Sequence, residues 1–202
     1  MIRTRKTAVQ RREEMIRAVL RIIGEKGIKS LTTANLAREV GLTTGAIFRH
    51  FRSLEELLQE TVYVAIQDIE ATFPDTSLEP IEQIMKLVSN RVQLLSKDPG
   101  LAWLLRSDEA NHMLPVAAVN ALQAVVQRSR KYLLNAMKEG MDRGTVRKDI
   151  DAPELIVIVM GTIQVLAGLT GIHRTQKNVE NISQTKTLAA LRAILSARKS
   201  KK

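Results

Sequence analysis

The sequence contains no cysteine. Disulfide bridges, thiolate nucleophiles, Cys-ligated zinc and iron–sulfur clusters are thereby excluded. Aromatic residues are scarce, with three Phe, two Tyr and one Trp, and 202 residues hold only ten Gly and five Pro. Strand-rich folds draw on aromatic and β-branched residues and on dense turn signals, so an all-β chain is disfavoured. No internal repeat or low-complexity linker is present. One uncharged stretch, 155–172, has the length of a short membrane span, but it contains Thr162, Gln164, Thr170 and three glycines. It reads as a buried helix, and no membrane partner is expected. Met1 leads into charged residues with no apolar segment behind them, so no signal peptide is expected and the location is read as cytoplasmic.

Acids are the other shortage. There are 31 Lys and Arg against 21 Asp and Glu, a formal net charge of +10. The excess is uneven. Residues 1–60 hold 12 cations against 7 acids, residues 61–175 hold 12 against 13, and residues 176–202 hold 7 against 1. The first twelve residues carry Arg3, Arg5, Lys6, Arg11 and Arg12 and no acid. A chain basic at both ends and neutral between them seeks a polyanion.

Helical periodicity runs throughout. Ile16, Val19, Leu20 and Ile23 fall on one face of a first helix over about 9–25, with Gly24 and Gly27 at its end. Thr32 or Thr33 caps a short helix reaching Val40, and Gly41 stops it. Thr43 caps a second short helix through about His50. Ser53 and Glu56 form a capping box opening a long helix that Pro74 closes. Further helices are expected from Pro80 to about Lys97, over 101–106, from Pro115 to near Gly144, over 155–172 behind an Asp151/Glu154 capping pair, and around Leu188, Leu191 and Leu195. Asp98-Pro99-Gly100 reads as a break and Ser107 to Leu114 as a polar connection. The expectation is an all-α chain of about nine helices.

The two short helices meet at Gly41-Leu42-Thr43, with Ala37 four residues before the glycine and Ile47 six after it. A helix-turn-helix needs this arrangement. A small residue lets the helices cross closely, glycine makes the turn, and a branched apolar residue locks the second helix to the first. The second helix then turns Thr44, Gly45, Ala46, Arg49 and His50 towards a major groove, with packing or hydrogen bonding at the helix end the favoured role for His50. Direct base reading falls to Thr43, Thr44 and Arg49, with Ala46 placed to touch a thymine methyl. Arg3, Arg5 and Lys6 are candidate phosphate or minor-groove contacts.

From Met15 to Leu58 the pattern resembles the TetR family of bacterial transcriptional regulators. The matching residues are Ala18, Gly27, Thr32-Thr33, Leu36-Ala37, Val40-Gly41-Leu42-Thr43, Gly45, Ile47-Phe48, His50-Phe51, Ser53 and Glu55-Glu56-Leu57-Leu58. The resemblance implies an all-α homodimer. Residues 1–53 would form a DNA-binding domain, with 1–8 as a basic arm, and 54–202 a helical domain for effector binding and dimerisation. Thr32, Thr33, Phe48 and Arg52 join the candidate DNA-facing set. Two departures stand out. The family commonly has tyrosine where Phe48 stands and lysine where Leu54 stands, both as phosphate contacts, with Arg49, Arg52 and the arm as substitutes here.

Nothing reads as catalytic or metal-binding. His50, His112 and His173 are far apart, and no zinc-protease, nucleophile-elbow or phosphate-loop pattern occurs. No cofactor is expected, and the chain is not read as an enzyme. An effector cavity would draw on Tyr63, Met85, Val88, Trp103, Arg106, Val126 and Tyr132, and suits an apolar or amphipathic small molecule. A dimer interface would use Gly161, Gln164, Ala167, Gly168 and Gly171 with the Leu188, Leu191 and Leu195 face. The leading function is a DNA-binding regulator, a repressor released by a small molecule. The alternatives are a DNA-bound protein-interaction module without an effector, and a basic helical protein that binds nucleic acid or membrane without sequence preference.

Overall fold

The computed structural model describes residues 6–168 and 183–197. Arg3, Arg5, Gly171 and the basic tail from Arg198 lie outside the described residues. Ten α-helices follow one another: α1 (Ala8–Lys26), α2 (Thr33–Val40), α3 (Thr44–Ile47), α4 (Leu54–Glu70), α5 (Pro80–Lys97), α6 (Pro99–Arg106), α7 (Asp108–Met113), α8 (Val116–Asp142), α9 (Ala152–Leu166) and α10 (Gln184–Leu195). A 3-10 turn, Ile28–Ser30, joins α1 to α2. The fold is all-α. The chain divides into two compact units interleaved in sequence, 1–68 with 98–124 and 69–97 with 125–202.

In the first unit, α1 starts with a reciprocal cap. The Gln10 amide donates to the Thr7 hydroxyl and the Thr7 amide to the Gln10 side chain, at 3.2 and 2.9 Å. Its buried face is Met15, Ile16, Ala18, Val19, Leu20, Ile22 and Ile23. Helix α6 crosses this helix at very short range. A β-carbon built on Gly100 would lie 2.0 Å from the Leu20 carbonyl oxygen, and one on Gly24 would lie 2.5 Å from the Gly100 nitrogen. Glycine at both positions lets the backbones touch. Asp98-Pro99-Gly100 separates α5 from α6, as expected, and also starts the second of them: the Asp98 carboxylate caps the Leu101 amide at 2.9 Å, and Pro99 occupies the first turn.

In the second unit, α5 contributes Ile84, Met85, Leu87, Val88, Val92 and Leu95 to the core, and α9 and α10 pack on it. Gln83 ties down the preceding turn by donating to the carbonyls of Thr76 and Leu78. Arg192 of α10 pairs with Glu82 of α5 and holds that carboxyl below its usual range. One isolated backbone bridge, Val146 to Ser196, fixes the end of α10. No helix among the described residues is long and apolar enough to cross a membrane.

Four local expectations change. The polar stretch after Ser107 is itself a helix, α7, with Asp108 and Glu109 in its first turn, where the helix dipole favours acids, and Ala110 buried. Helix α3 ends at Ile47, so His50 lies beyond it. Asp151 stands at the start of α9 but its side chain makes no capping bond. That helix ends at Leu166, not 172, and Gly168 follows it with φ 70°.

The α1–α6 crossing makes a direct prediction. Gly100→Ala forces backbone apart and should cost roughly 1–3 kcal/mol, the range for overpacking a tight contact. Gly45→Ala, where a β-carbon meets nothing within 4 Å, should leave the melting temperature unchanged or slightly higher. Thermal melts of both variants against the parent check it.

Candidate nucleic-acid interface

The helix-turn-helix is assembled from short-range chemistry. The Thr32 hydroxyl accepts from the Asn35 amide at 3.1 Å and opens α2. Gly41 ends it in the left-handed conformation (φ 65°, ψ 39°), where a side chain would be strained, and the Leu42 amide closes onto the Ala37 carbonyl at 2.9 Å. The Thr43 hydroxyl accepts from the Ala46 amide at 3.2 Å and opens α3. Ala37 and Ile47 are both buried, as the crossing of α2 and α3 requires.

The exposed edge of α3 is Thr43, Thr44 and Gly45, continued by Phe48 and Arg49, with Phe48 48% exposed. Arg49 makes no ion pair among the described residues. Ala46 is a correction. It is 7% exposed and packs inward beside Ile47, so it cannot reach a thymine methyl. Thr32 is exposed and Thr33 half-buried at the start of α2. Lys6 is not a free cation: its ammonium lies 2.7 Å from Glu14, which Arg11 also meets at 2.8 Å. The Lys6 hydrogen bond, with that of Arg11, holds the Glu14 carboxyl below its usual range.

Arg12, read only as part of a basic arm, has a different place. Its guanidinium sits 4.1 Å from the centre of the buried Phe51 ring, donates to the His50 carbonyl, and lies 3.9 and 3.7 Å from Glu56 and Glu60. It clamps the segment after α3 to α1 and α4. His50 is half-buried and serves this clamp through its backbone. At the head of α4 the Glu56 amide donates to the Ser53 hydroxyl at 3.1 Å, as the capping box expects. The Glu56 carboxylate accepts not from Ser53 but from the Arg52 amide, at 2.7 Å. Arg52 is exposed and Leu54 half-buried.

The body residues divide between the units. Tyr63, Trp103 and Arg106 belong to the first; Met85, Val88, Val126 and Tyr132 belong to the second. Val88 is fully buried and Met85 nearly so. A solvent-open groove of about 290 Å³ in the second unit is lined by Gln127, Arg130, Lys131, Leu134, Pro153 and Ile156, none of them among those seven. The expected dimer set is also corrected in part. Ala167, Leu191 and Leu195 are buried within the chain itself, because α10 packs on α5 and α9. Gly161, Gln164 and Gly168 are exposed, and Leu188 is half-buried. Val157, Ile158 and Val165 expose apolar surface on α9, and Ile194 does so on α10.

A helix-turn-helix with an exposed, capped second helix, carried by an all-α chain, defines a DNA-binding protein of the helix-turn-helix class. Residues 15–61 match the family model described as bacterial regulatory proteins, tetR family. The chain is 21% identical over 144 residues to the HTH-type transcriptional repressor KstR2 of Mycolicibacterium smegmatis, spanning 70% of each. It is 33% identical over 103 residues to the nucleoid occlusion factor SlmA of Vibrio campbellii, 47% of this chain and 50% of that one. The crystal structure of AibR with isovaleryl coenzyme A and operator DNA superposes with a TM-score of 0.74 at 13% identity, covering 94% of this chain and all of that one. The likeness to the TetR family of bacterial transcriptional regulators is carried by the N-terminal region, residues 15–61.

Leu54 tests how this surface meets phosphate. It is half-buried at the first residue of α4, so a lysine there can keep its stem packed and its ammonium in water. Leu54→Lys should raise affinity for specific and random DNA alike and steepen the log K against log salt slope by up to ~0.9. Binding titrations at two salt concentrations, with a melt to check stability, measure it.

Proposed function

We propose that the protein is a sequence-specific transcriptional regulator, a repressor and not an enzyme, that binds a palindromic operator as a homodimer and leaves it on binding a small amphipathic molecule. The observation that carries this reading is the exposed edge of α3: Thr43, Thr44, Gly45 and Arg49 face solvent on a helix whose other side is buried. Residues 1–53 are the DNA-binding part and 54–202 the part for effector and dimer. The cytoplasm, where DNA lies, is the proposed location. The bound ligand and operator named for AibR, and the repressor role named for KstR2, support this reading. The likeness to a nucleoid occlusion factor favours, as second choice, a DNA-bound module acting through a protein partner.

Phe48, Arg52, Thr32 and Thr33 complete the proposed DNA surface, with Phe48 offering apolar contact in place of a hydroxyl. The proposed dimer face is the outer side of α9, Val157, Ile158, Gly161, Gln164 and Val165, with Ile194 of α10. Single exposed apolar residues are ordinary, but a contiguous row along one helix marks an interface.

Two predictions follow from these surfaces. Thr44→Ala or Arg49→Ala should weaken the specific operator by roughly 1–3 kcal/mol while random DNA changes less, since a base contact contributes discrimination and a phosphate contact does not. Fluorescence anisotropy on both duplexes reads this, and an equal loss on both would assign the residue to phosphate. Val157→Glu, at a position 66% exposed, should leave the melting behaviour of the protomer intact and convert the dimer to monomer in sedimentation at micromolar concentration.

A further inference from the structure

Arg91 lies on the buried face of α5, with 7% of it exposed. Burying a guanidinium is costly unless an anion sits against it. Among the described residues no carboxylate does. Its Nε donates to the Thr72 hydroxyl at 2.9 Å and its Nη2 to the Ser129 hydroxyl at 3.4 Å. Both hydroxyls direct their own protons elsewhere, Thr72 to the Ile69 carbonyl at 2.5 Å and Ser129 to the Val125 carbonyl at 2.9 Å. They present lone pairs to the cation but no charge.

The acids that flank Thr72 in sequence are engaged, Glu70 with Arg128 and Asp75 with the Ser77 amide. The Phe73 ring lies 5.7 Å from the guanidinium carbon, and Tyr132 packs on that ring with centroids 5.1 Å apart. Burial draws the Arg91 pKa down to about 10, so the group is still a cation at neutral pH. A guanidinium carries five N–H donors in a planar fork, and two are used here. The remaining edge, on Nη1 and Nη2, has the geometry that receives two oxygens of a carboxylate or phosphate side by side.

We propose that Arg91 is an oxyanion-binding residue of the effector site: it takes the carboxylate or phosphate of an otherwise apolar effector, while Thr72 and Ser129 hold the guanidinium and Phe73 flanks it. The role of that ligand as an effector rests on the regulator reading above; the binding itself does not. The competing role is a structural tie between the turn that follows α4 and α8.

The test uses the full chain. Thermal melts are recorded in sodium phosphate and in sodium chloride at equal ionic strength, for the parent, Arg91→Met, Arg91→Lys and, as a surface-cation control, Arg128→Gln. Phosphate should raise the melting temperature of the parent and of Arg128→Gln saturably, with apparent affinity at least tenfold weaker in Arg91→Met and intermediate in Arg91→Lys. Equal responses in the parent and Arg91→Met, or none in the parent, overturn the proposal. Should Arg91→Met fail to fold, the Arg91 Nε–Hε resonance of the parent, assigned through Arg91→Lys, decides. It should move on the same titration, and a resonance that stays still overturns the assignment. Octanoate and octyl phosphate then tell carboxylate from phosphate, and octanol binding as tightly as either anion also counts against it. DNA binding of each variant is measured separately. A chain that shows the phosphate response but no specific DNA binding would fail the regulator reading and keep the Arg91 site.

Discussion

A helix of four residues cannot hold itself in water, because nucleation costs more than one or two hydrogen bonds return. Helix α3 is that short. Every feature of the proposed DNA surface depends on what pins it from outside. Gly41 sets its entry angle, Thr43 satisfies its first free amide, and Ala46 and Ile47 bury its inner side. Below it the buried Phe51 carries the chain into α4, with Arg12 stacked over the ring. The groove-facing side chains can then be small and polar, since none is needed for packing.

The same economy explains why cations near the N-terminus are not equivalent. Arg12 and Lys6 are spent on protein partners, Phe51 with His50 and Glu14 respectively, while Arg49 and Arg52 point outward. Net charge draws the chain to a polyanion, but the geometry of individual cations decides which of them meet it. In the second unit the contrast is sharper. Among the described residues Arg91 is buried against two neutral hydroxyls and an aromatic ring, with no carboxylate. Arg128, Arg143 and Arg192 in the same unit each pair with a glutamate.

Much of this was legible because capping is local chemistry. Thr32, Thr43, Ser53 and Pro80 act within three or four residues of themselves, and Gly41 acts at its own φ, so all five could be read from the chain. What escaped depends on distant partners. Helix α7 has no apolar period to announce it; it exists with Ala110 buried and acids in its first turn. Leu191 and Leu195 form an apolar stripe, and a stripe carries no address: the chain's own α5 and α9 take it rather than a second copy. The inward side of α3, with Ala46 on it, does not show in the sequence, because four residues are too few for periodicity to reveal which side faces in. Arg91 interrupts an apolar row, Ile84, Val88, Val92 and Leu95, and that interruption is the sequence signal of a cation placed in a core.

On the reading proposed above, the exposed edge of α3 reads a defined DNA sequence as part of a two-fold assembly. Selection of bound duplexes from a random pool by the full chain, at physiological salt, tests it most directly. A short site with two-fold symmetry should be enriched, its half-sites centred about one helical turn or a multiple of it apart. A pool that stays random while bulk DNA is bound would contradict it, and would leave the basic termini and not α3 as the source of attraction.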